Sequence, residues 1–239
     1  MGASGRLNKD STSETVRLIS SYKSGDRRFR AGQDLFSAGT VPNALYNLVE
    51  GWVFFYKILE NGRRQILHFA VPGAVLGSPL APGTIATFGA QALTDAVVSV
   101  IPHNALNSLA REHPDFGLQL ARLISQDFGL AFDHLTGVGR QSARERIARL
   151  LLELFIRAWT VWPGNGIEAL QIPLTQEHLG DATGLAAVHV NRVLRGLQRD
   201  GIAEFHYRRL RVLDPDRLID VAGVDPEIAR SWFHNRPSG

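Results

Sequence analysis

The chain has 239 residues, a formal net charge of +3, and 44% hydrophobic and 21% charged residues, a length that holds one large domain or two ordinary ones, each with its own core. No apolar run approaches the roughly 20 residues that span a bilayer, and no basic-then-apolar signal segment opens the chain, so a cytoplasmic location and no membrane partner are expected. The complete lack of cysteine excludes disulfides, thiolate-held zinc, cysteine-ligated iron–sulfur clusters and cysteine nucleophiles, and the eight histidines, none spaced as His-x-His or His-x-x-x-His, give no metal site.

Residues 1–20 are rich in small polar side chains and read as a flexible tail. From about Arg28 to Pro102, short apolar or alternating runs are punctuated by glycine and proline. Strands are expected at 34–36, 44–50, 52–59, 64–70 and 96–101. Turn signals separate them at Gly39, Gly51, Asn61-Gly62, Pro72-Gly73 and Pro82-Gly83. Many short strands in this rhythm indicate an antiparallel sandwich or barrel.

A short helix is expected over 103–112, stopped by Pro114. Residues 115–136 then read as one long helix, with Phe116, Leu120, Leu123, Asp127, Leu130 and His134 in a near-heptad stripe. Its length of roughly 30 Å exceeds what one strand-rich domain needs as a cover. A second copy of the helix explains the excess, which assigns Phe116, Leu120, Leu123, Leu130 and His134 to a dimer interface. Gly137-Val138-Gly139 follows as a hinge, carried by Gly137 and Gly139.

The next helix opens with a Ser142/Glu145 capping box and buries Ile147, Leu150, Leu151, Leu154, Phe155 and Ala158. After the loop at 163–166, residues 174–197 read as two short helices joined at a glycine. Thr175 is the N-cap, Glu177 sits where the helix dipole favours an anion, and the first helix ends near Thr183. Gly184 supplies the positive φ of the turn, and Gly180 lets the second helix approach closely. Leu179, Ala182, Val190, Val193, Leu194 and Leu197 share an apolar face, while Val188, Asn191, Arg192, Arg195 and Arg199 lie away from it. Runs at 202–206 and 210–213, joined by Tyr207, Arg208 and Arg209, read as a two-stranded wing. Between Leu185 and Arg211 six arginines stand against Asp200 and Glu204, the electrostatic footprint of a phosphate-backbone binder. A helix-turn-helix of this charge fits a DNA major groove.

This order of elements resembles the CRP/FNR family of bacterial transcription regulators over roughly residues 25–218. The supporting residues are Gly32-Gln33-Asp34-Leu35-Phe36-Ser37-Ala38-Gly39, Leu45-Tyr46-Asn47-Leu48-Val49-Glu50-Gly51, Gly62-Arg63-Arg64-Gln65-Ile66 and Pro72-Gly73-Ala74-Val75-Leu76-Gly77, followed by the helix-turn-helix and its wing. The resemblance implies an α+β fold. It places a jelly-roll-like antiparallel β-roll at 21–113, a dimerisation helix at 114–136, a hinge at 137–139, a winged helix-turn-helix at 140–218 and a C-terminal extension at 219–239. It further implies a homodimer on a pseudo-palindromic duplex, with half-sites about 34 Å apart, and RNA polymerase as a further partner.

Family members that bind cyclic nucleotides usually carry Gly-Glu and then Arg-Ser or Arg-Thr in the phosphate cassette. Here Gly77 is followed by Ser78, no Arg-Ser follows, and residues 65–110 contain neither lysine nor arginine. A buried cyclic phosphate without a counter-charge carries a desolvation cost of several kcal/mol, so conventional cyclic AMP binding is not expected. Phe69, Gly77, Ser78 and Phe88 are the expected lining of a pocket for an unidentified small effector. No cofactor is expected, although a histidine-ligated haem stays open under the resemblance.

The recognition helix also departs from the pattern Arg-Glu with Arg four positions after the Glu. The corresponding residues are Ala187, Val188 and Arg192, which implies a different half-site, with Arg192 on a guanine and Val188 on a thymine methyl. His189, Asn191 and Arg195 are further base or phosphate contacts, and Arg208 and Arg209 phosphate contacts. Two alternatives stand beside this reading: a cupin-type metal-dependent enzyme, and a constitutive DNA-binding dimer whose β-roll takes no ligand.

Overall fold

The computed structural model describes residues 21–77, 83–115, 139–158 and 169–227, with the single positions 18, 117, 118, 125 and 132. Two compact units divide the chain, 1–131 and 132–239. The expected interface residues Phe116, Leu120, Leu123, Leu130 and His134, together with Gly137 and Ser78, lie outside the described residues. No described helix is long and apolar enough to cross a membrane.

In the first unit the strands run in chain order β1 (Gly25–Phe29), β2 (Asp34–Phe36), β3 (Ala44–Glu50), β4 (Val53–Ile58), β5 (Arg64–Ala70), β6 (Val75–Leu76), β7 (Gly89–Ala92) and β8 (Ala96–Pro102). They form two antiparallel sheets, ordered β1-β8-β3-β6 and β2-β7-β4-β5. The period-2 alternation of β3 explains how one sheet serves two apolar layers. Tyr46 and Leu48 join Phe36, Val53, Ala70, Ala92 and Val98 in the core drawn from both sheets. Leu45 points the other way, with Ile101, to meet Leu106 and Leu109 of α1 (His103–Glu112).

All five expected strands are present, with the third trimmed to β4. Trp52 falls outside the ladder because its N–H donates to Thr94 Oγ1 at 2.9 Å and its carbonyl accepts from Leu93 at 2.8 Å. Sequence patterning missed β1, β6 and β7. The Asn61-Gly62 signal does close the β4–β5 hairpin, but not as a two-residue turn. Gly62 takes φ +76 at the end of a Leu59-to-Gly62 turn, with its N–H on Leu59 O at 2.9 Å, and Leu59 N donates to Arg63 O at 2.8 Å. That is a type I turn closed by a left-handed glycine.

The second unit is built around α2 (Ala143–Ala158). Its capping box forms as expected: Ser142 N–H donates to the Glu145 carboxylate at 2.6 Å, and Glu145 N–H donates to Ser142 Oγ at 3.3 Å. The buried set is wider than the expected face, adding Ala148, Leu152 and Ile156, because α3 (Gln176–Thr183), α4 (Ala187–Arg199) and α5 (Pro215–Ala222) all pack on this helix. Strand β9 (Ala169–Gln171) adds to β10 (Ala203–His206) and β11 (Arg209–Val212) in the order β10-β11-β9. The wing is therefore three-stranded, not two-stranded. Helix α5 crosses residue 218, so the expected division there cuts through a packed helix.

Hydrogen bonds from Ser142 hold the Glu145 carboxyl below the usual carboxylate range. A lowered folded-state value stabilises above the unfolded pKa, and that contribution is lost as pH falls through the folded one. Replacing Ser142 with alanine removes the cap and lowers stability by about 1 kcal/mol, and it also removes part of the acid-side dependence. Urea unfolding of both proteins at neutral pH and at pH 4 checks both statements.

Candidate nucleic-acid interface

Local chemistry fixes the helix-turn-helix. Thr175 Oγ1 accepts from His178 N–H at 3.2 Å, and His178 Nδ1 accepts from Thr175 N–H at 3.2 Å. This is a capping box in which an imidazole replaces the usual Glu or Gln, and it places the ring proton on Nε2. Glu177 stays in the first turn, and His178, one residue on, reaches back to the cap. Gly184 caps α3 at φ +70. A Cβ on Gly180 would stand 2.7 Å from Leu185 O, the first carbonyl beyond the turn. The buried Thr183 hydroxyl donates to Leu179 O at 2.7 Å, and Arg146 Nη1 donates to Thr183 O at 2.9 Å. That guanidinium puts a cation on the negative end of the α3 dipole.

Three polar ties hold the recognition helix α4 in place. At its start Asn191 Nδ2 donates to Gln176 Oε1 at 3.1 Å. At its end His206 Nε2 donates to Gln198 Oε1 at 3.0 Å, tying the wing to the helix. Beyond it, Asp200 pairs with Arg144 at 2.6 Å, and its carbonyl accepts from Arg217 at 2.8 Å. Asn191 is half-buried and committed to Gln176, so part of its hydrogen-bonding capacity orients α4 rather than facing outward. Gln176, Gln198, Arg144 and Arg146 were not singled out from sequence. Each acts through a partner 8 to 56 residues away, a separation that leaves no local signal.

Val188 is 71% exposed, and His189, Arg192, Arg195 and Arg199 are exposed along the same outer surface. The wing adds exposed Arg208 in the turn and Arg209, which belongs to β11 rather than to the loop expected for it. Among the described residues the side chains of Arg192, Arg195, Arg199, Arg208 and Arg209 have no hydrogen-bond or ion-pair partner, in contrast to that of Arg211, which meets Glu204 at 3.7 Å. Like charges three and four residues apart on α4 cost a few tenths of a kcal/mol per pair. An external polyanion relieves that repulsion. Beside the wing tip lies a cleft of about 360 Å³ lined by Leu174, Thr175, Gln176, Phe205, His206, Tyr207 and Arg208.

A cyclic nucleotide-binding domain description matches residues 26–113, and a Crp-like helix-turn-helix domain description matches residues 145–221. The chain belongs to the CRP/FNR family. It is 29% identical to the nitrogen fixation regulation protein FixK of Bradyrhizobium diazoefficiens over 196 residues, 82% of this chain and 81% of the relative. The transcriptional activatory protein AadR of Rhodopseudomonas palustris is 29% identical over 198 residues, 82% of this chain and 81% of AadR. The solved structure of FixK2 from Bradyrhizobium japonicum has a TM-score of 0.73 at 28% identity, covering 82% of this chain and 96% of that one. The chain is a DNA-binding transcription regulator, not an enzyme.

Within the β-roll of this CRP/FNR regulator two of the expected pocket residues, Phe69 and Phe88, lie on opposite sheet faces. Register pairs Phe54 with Phe69 and Phe55 with His68, so Phe69 lies on the sheet face opposite Phe55. Phe88 packs on the Phe55 face, its ring 5.3 Å from Phe55 and 6.1 Å from Phe36. Phe69 is 2% exposed and belongs with Phe54, not with Phe88. The sequence could not separate them, because both faces of β4 and β5 carry aromatics. Gly77 takes φ +113 beside Ala44 O. His68 stacks on Phe55 at 6.1 Å, and Phe36 on Tyr46 at 6.5 Å. Gly139 is exposed in helical backbone, and a Cβ there would meet nothing within 4 Å. Among the described residues no group of three or more His, Cys, Asp or Glu is placed to hold a metal ion.

Proposed function

We propose that the chain works as a cytoplasmic homodimer that reads a pseudo-palindromic duplex, one recognition helix in each of two successive major grooves about 34 Å apart. The observation that carries this reading is the set of five exposed, unpartnered arginines spread over α4 and the wing. Arg192 takes guanine O6 and N7, Val188 the methyl of a neighbouring thymine, and His189 and Arg195 flank them. Thr175, Arg208 and Arg209 position the backbone, with the cleft beside the wing as the seat of a phosphate. Asn191 contributes chiefly by orienting α4 through Gln176. Selection of bound duplexes from a random library, with footprinting, tests it. Two half-sites one helical turn apart are expected, and a single unpaired site overturns the dimer reading.

The β-roll signal in this proposal is not conventionally bound cyclic AMP. The segment from Gln65 to Ala110 holds neither lysine nor arginine, and the interior is occupied by Phe36, Tyr46, Phe55, Phe88 and the stacked His68. A cyclic phosphate placed there lacks the counter-charge that offsets its desolvation. Calorimetric titration with cyclic AMP is expected to show no binding at micromolar concentrations, and affinity in that range overturns this part.

A further inference from the structure

The wing tip is built against its own backbone preferences. His206 and Arg209 form the last ladder pair, which leaves Tyr207 and Arg208 as a two-residue turn. Both have positive φ, +49 and +62, the left-handed pair of a type I′ turn that asparagine and glycine adopt readily. A tyrosine and an arginine are strained there. Among the described residues no contact to the Tyr207 side chain offsets that strain. Tyr207 is 96% exposed, and among the described residues its ring and hydroxyl have no partner.

The tip is also fixed in space. His206 ties the base of the wing to Gln198 of α4, Ile172 N–H donates to Arg208 O at 2.8 Å, and β11 continues the ladder into β9. An exposed aromatic ring is thus held at a set offset from α4, next to the unpartnered side chains of Arg208 and Arg209 in the chain and at the rim of the cleft that opens towards the start of α3.

We infer that Tyr207 is a second, shape-reading DNA contact: its ring packs on the deoxyribose edge of the strand bordering the recognition groove, while Arg208 meets the adjoining phosphate. This rests on the DNA-reading proposal and extends it, since such a contact lengthens the site beyond the bases reached by α4. A ring on a sugar exchanges no counterion, so the contact adds affinity that salt does not remove, whereas Arg208 adds affinity that salt weakens.

The test uses the full chain and a selected duplex in two lengths, one carrying the flanks and one trimmed to the major-groove half-sites. Tyr207→Asn keeps a residue suited to the turn, so thermal unfolding is expected to move upward, which separates binding from folding. On the long duplex Tyr207→Asn is expected to bind about ten-fold more weakly with the salt slope unchanged, and Tyr207→Phe within about two-fold of wild type. On the trimmed duplex wild type and Tyr207→Asn are expected to be equal. Equal binding of the long duplex by Tyr207→Asn, or a loss by Tyr207→Phe as large as that by Tyr207→Asn, overturns the inference. A wild-type chain that binds neither duplex overturns the DNA-reading proposal along with it, whereas a loss confined to Tyr207 variants leaves that proposal standing.

Discussion

Arg192→Ala is expected to lower affinity for the selected duplex by about 1 to 3 kcal/mol, with the loss concentrated on one base pair of each proposed half-site. The size follows from geometry. Arg192 lies one helical turn beyond Val188 on the exposed surface of α4 and has no protein partner among the described residues. Its planar fork matches the two acceptors of guanine in a way that a point charge does not. Because nothing inside the fold is broken, thermal stability stays within about 0.5 kcal/mol of wild type. Arg208→Ala is expected to behave differently, weakening all duplexes by a similar factor and reducing the magnitude of the salt slope by about one. Competition binding against single-base variants at two salt concentrations separates the two. If Arg192→Ala keeps the wild-type ratio between selected and random duplexes, the helix is not read through that residue.

What the sequence made legible and what it hid divide along the range of the interactions involved. The capping box at Ser142 and Glu145, the cap at Thr175 and the left-handed Gly184 are written within one or two helical turns and appear as read, as does the apolar stripe of α4, with Val190, Leu194 and Leu197 buried and Val193 half-buried. Strands β1 and β7 were hidden for opposite reasons. β1 is Gly-Asp-Arg-Arg-Phe, exposed over its first four residues, and looks like a polar loop. β7 is Gly-Ala-Gln-Ala, with little β propensity of its own. Its small residues make sense only in three dimensions: a Cβ on Gly89 would meet the Tyr56 ring at 2.7 Å, and Ala90 lies opposite Phe55 in a core already crowded with aromatics. The exposed basic face of α4 was legible because charge at helical spacing is a local pattern. The ties that aim it were not, since Gln176 to Asn191, His206 to Gln198 and Arg144 to Asp200 each join different elements.

Gly180→Val is expected to damage the reader without touching any residue that faces DNA. Helix propensity alone predicts a gain, since glycine inside a helix costs about 1 kcal/mol relative to alanine. The steric demand opposes it. The first carbon of any side chain at this position would stand 2.7 Å from Leu185 O, and Val190 Cγ2 lies 3.7 Å away. Neither neighbour can yield cheaply. Leu185 N–H donates to Gly180 O at 3.1 Å across the turn, so the backbone at Leu185, and with it the crowded Leu185 O, is pinned to α3, and Val190 is fully buried. Overpacking of this kind costs about 1 to 3 kcal/mol, and valine, being β-branched, also forgoes much of the propensity gain. The net effect is destabilisation, together with a changed angle between the two helices. That change would pull Asn191 from Gln176 and shift Val188 and Arg192 relative to the wing, so DNA affinity falls by more than ten-fold even under conditions where the variant is folded. Urea unfolding alongside duplex binding checks both quantities. A variant that is more stable than wild type and binds with unchanged affinity would show that the close approach at Gly180 has no part in setting the reader.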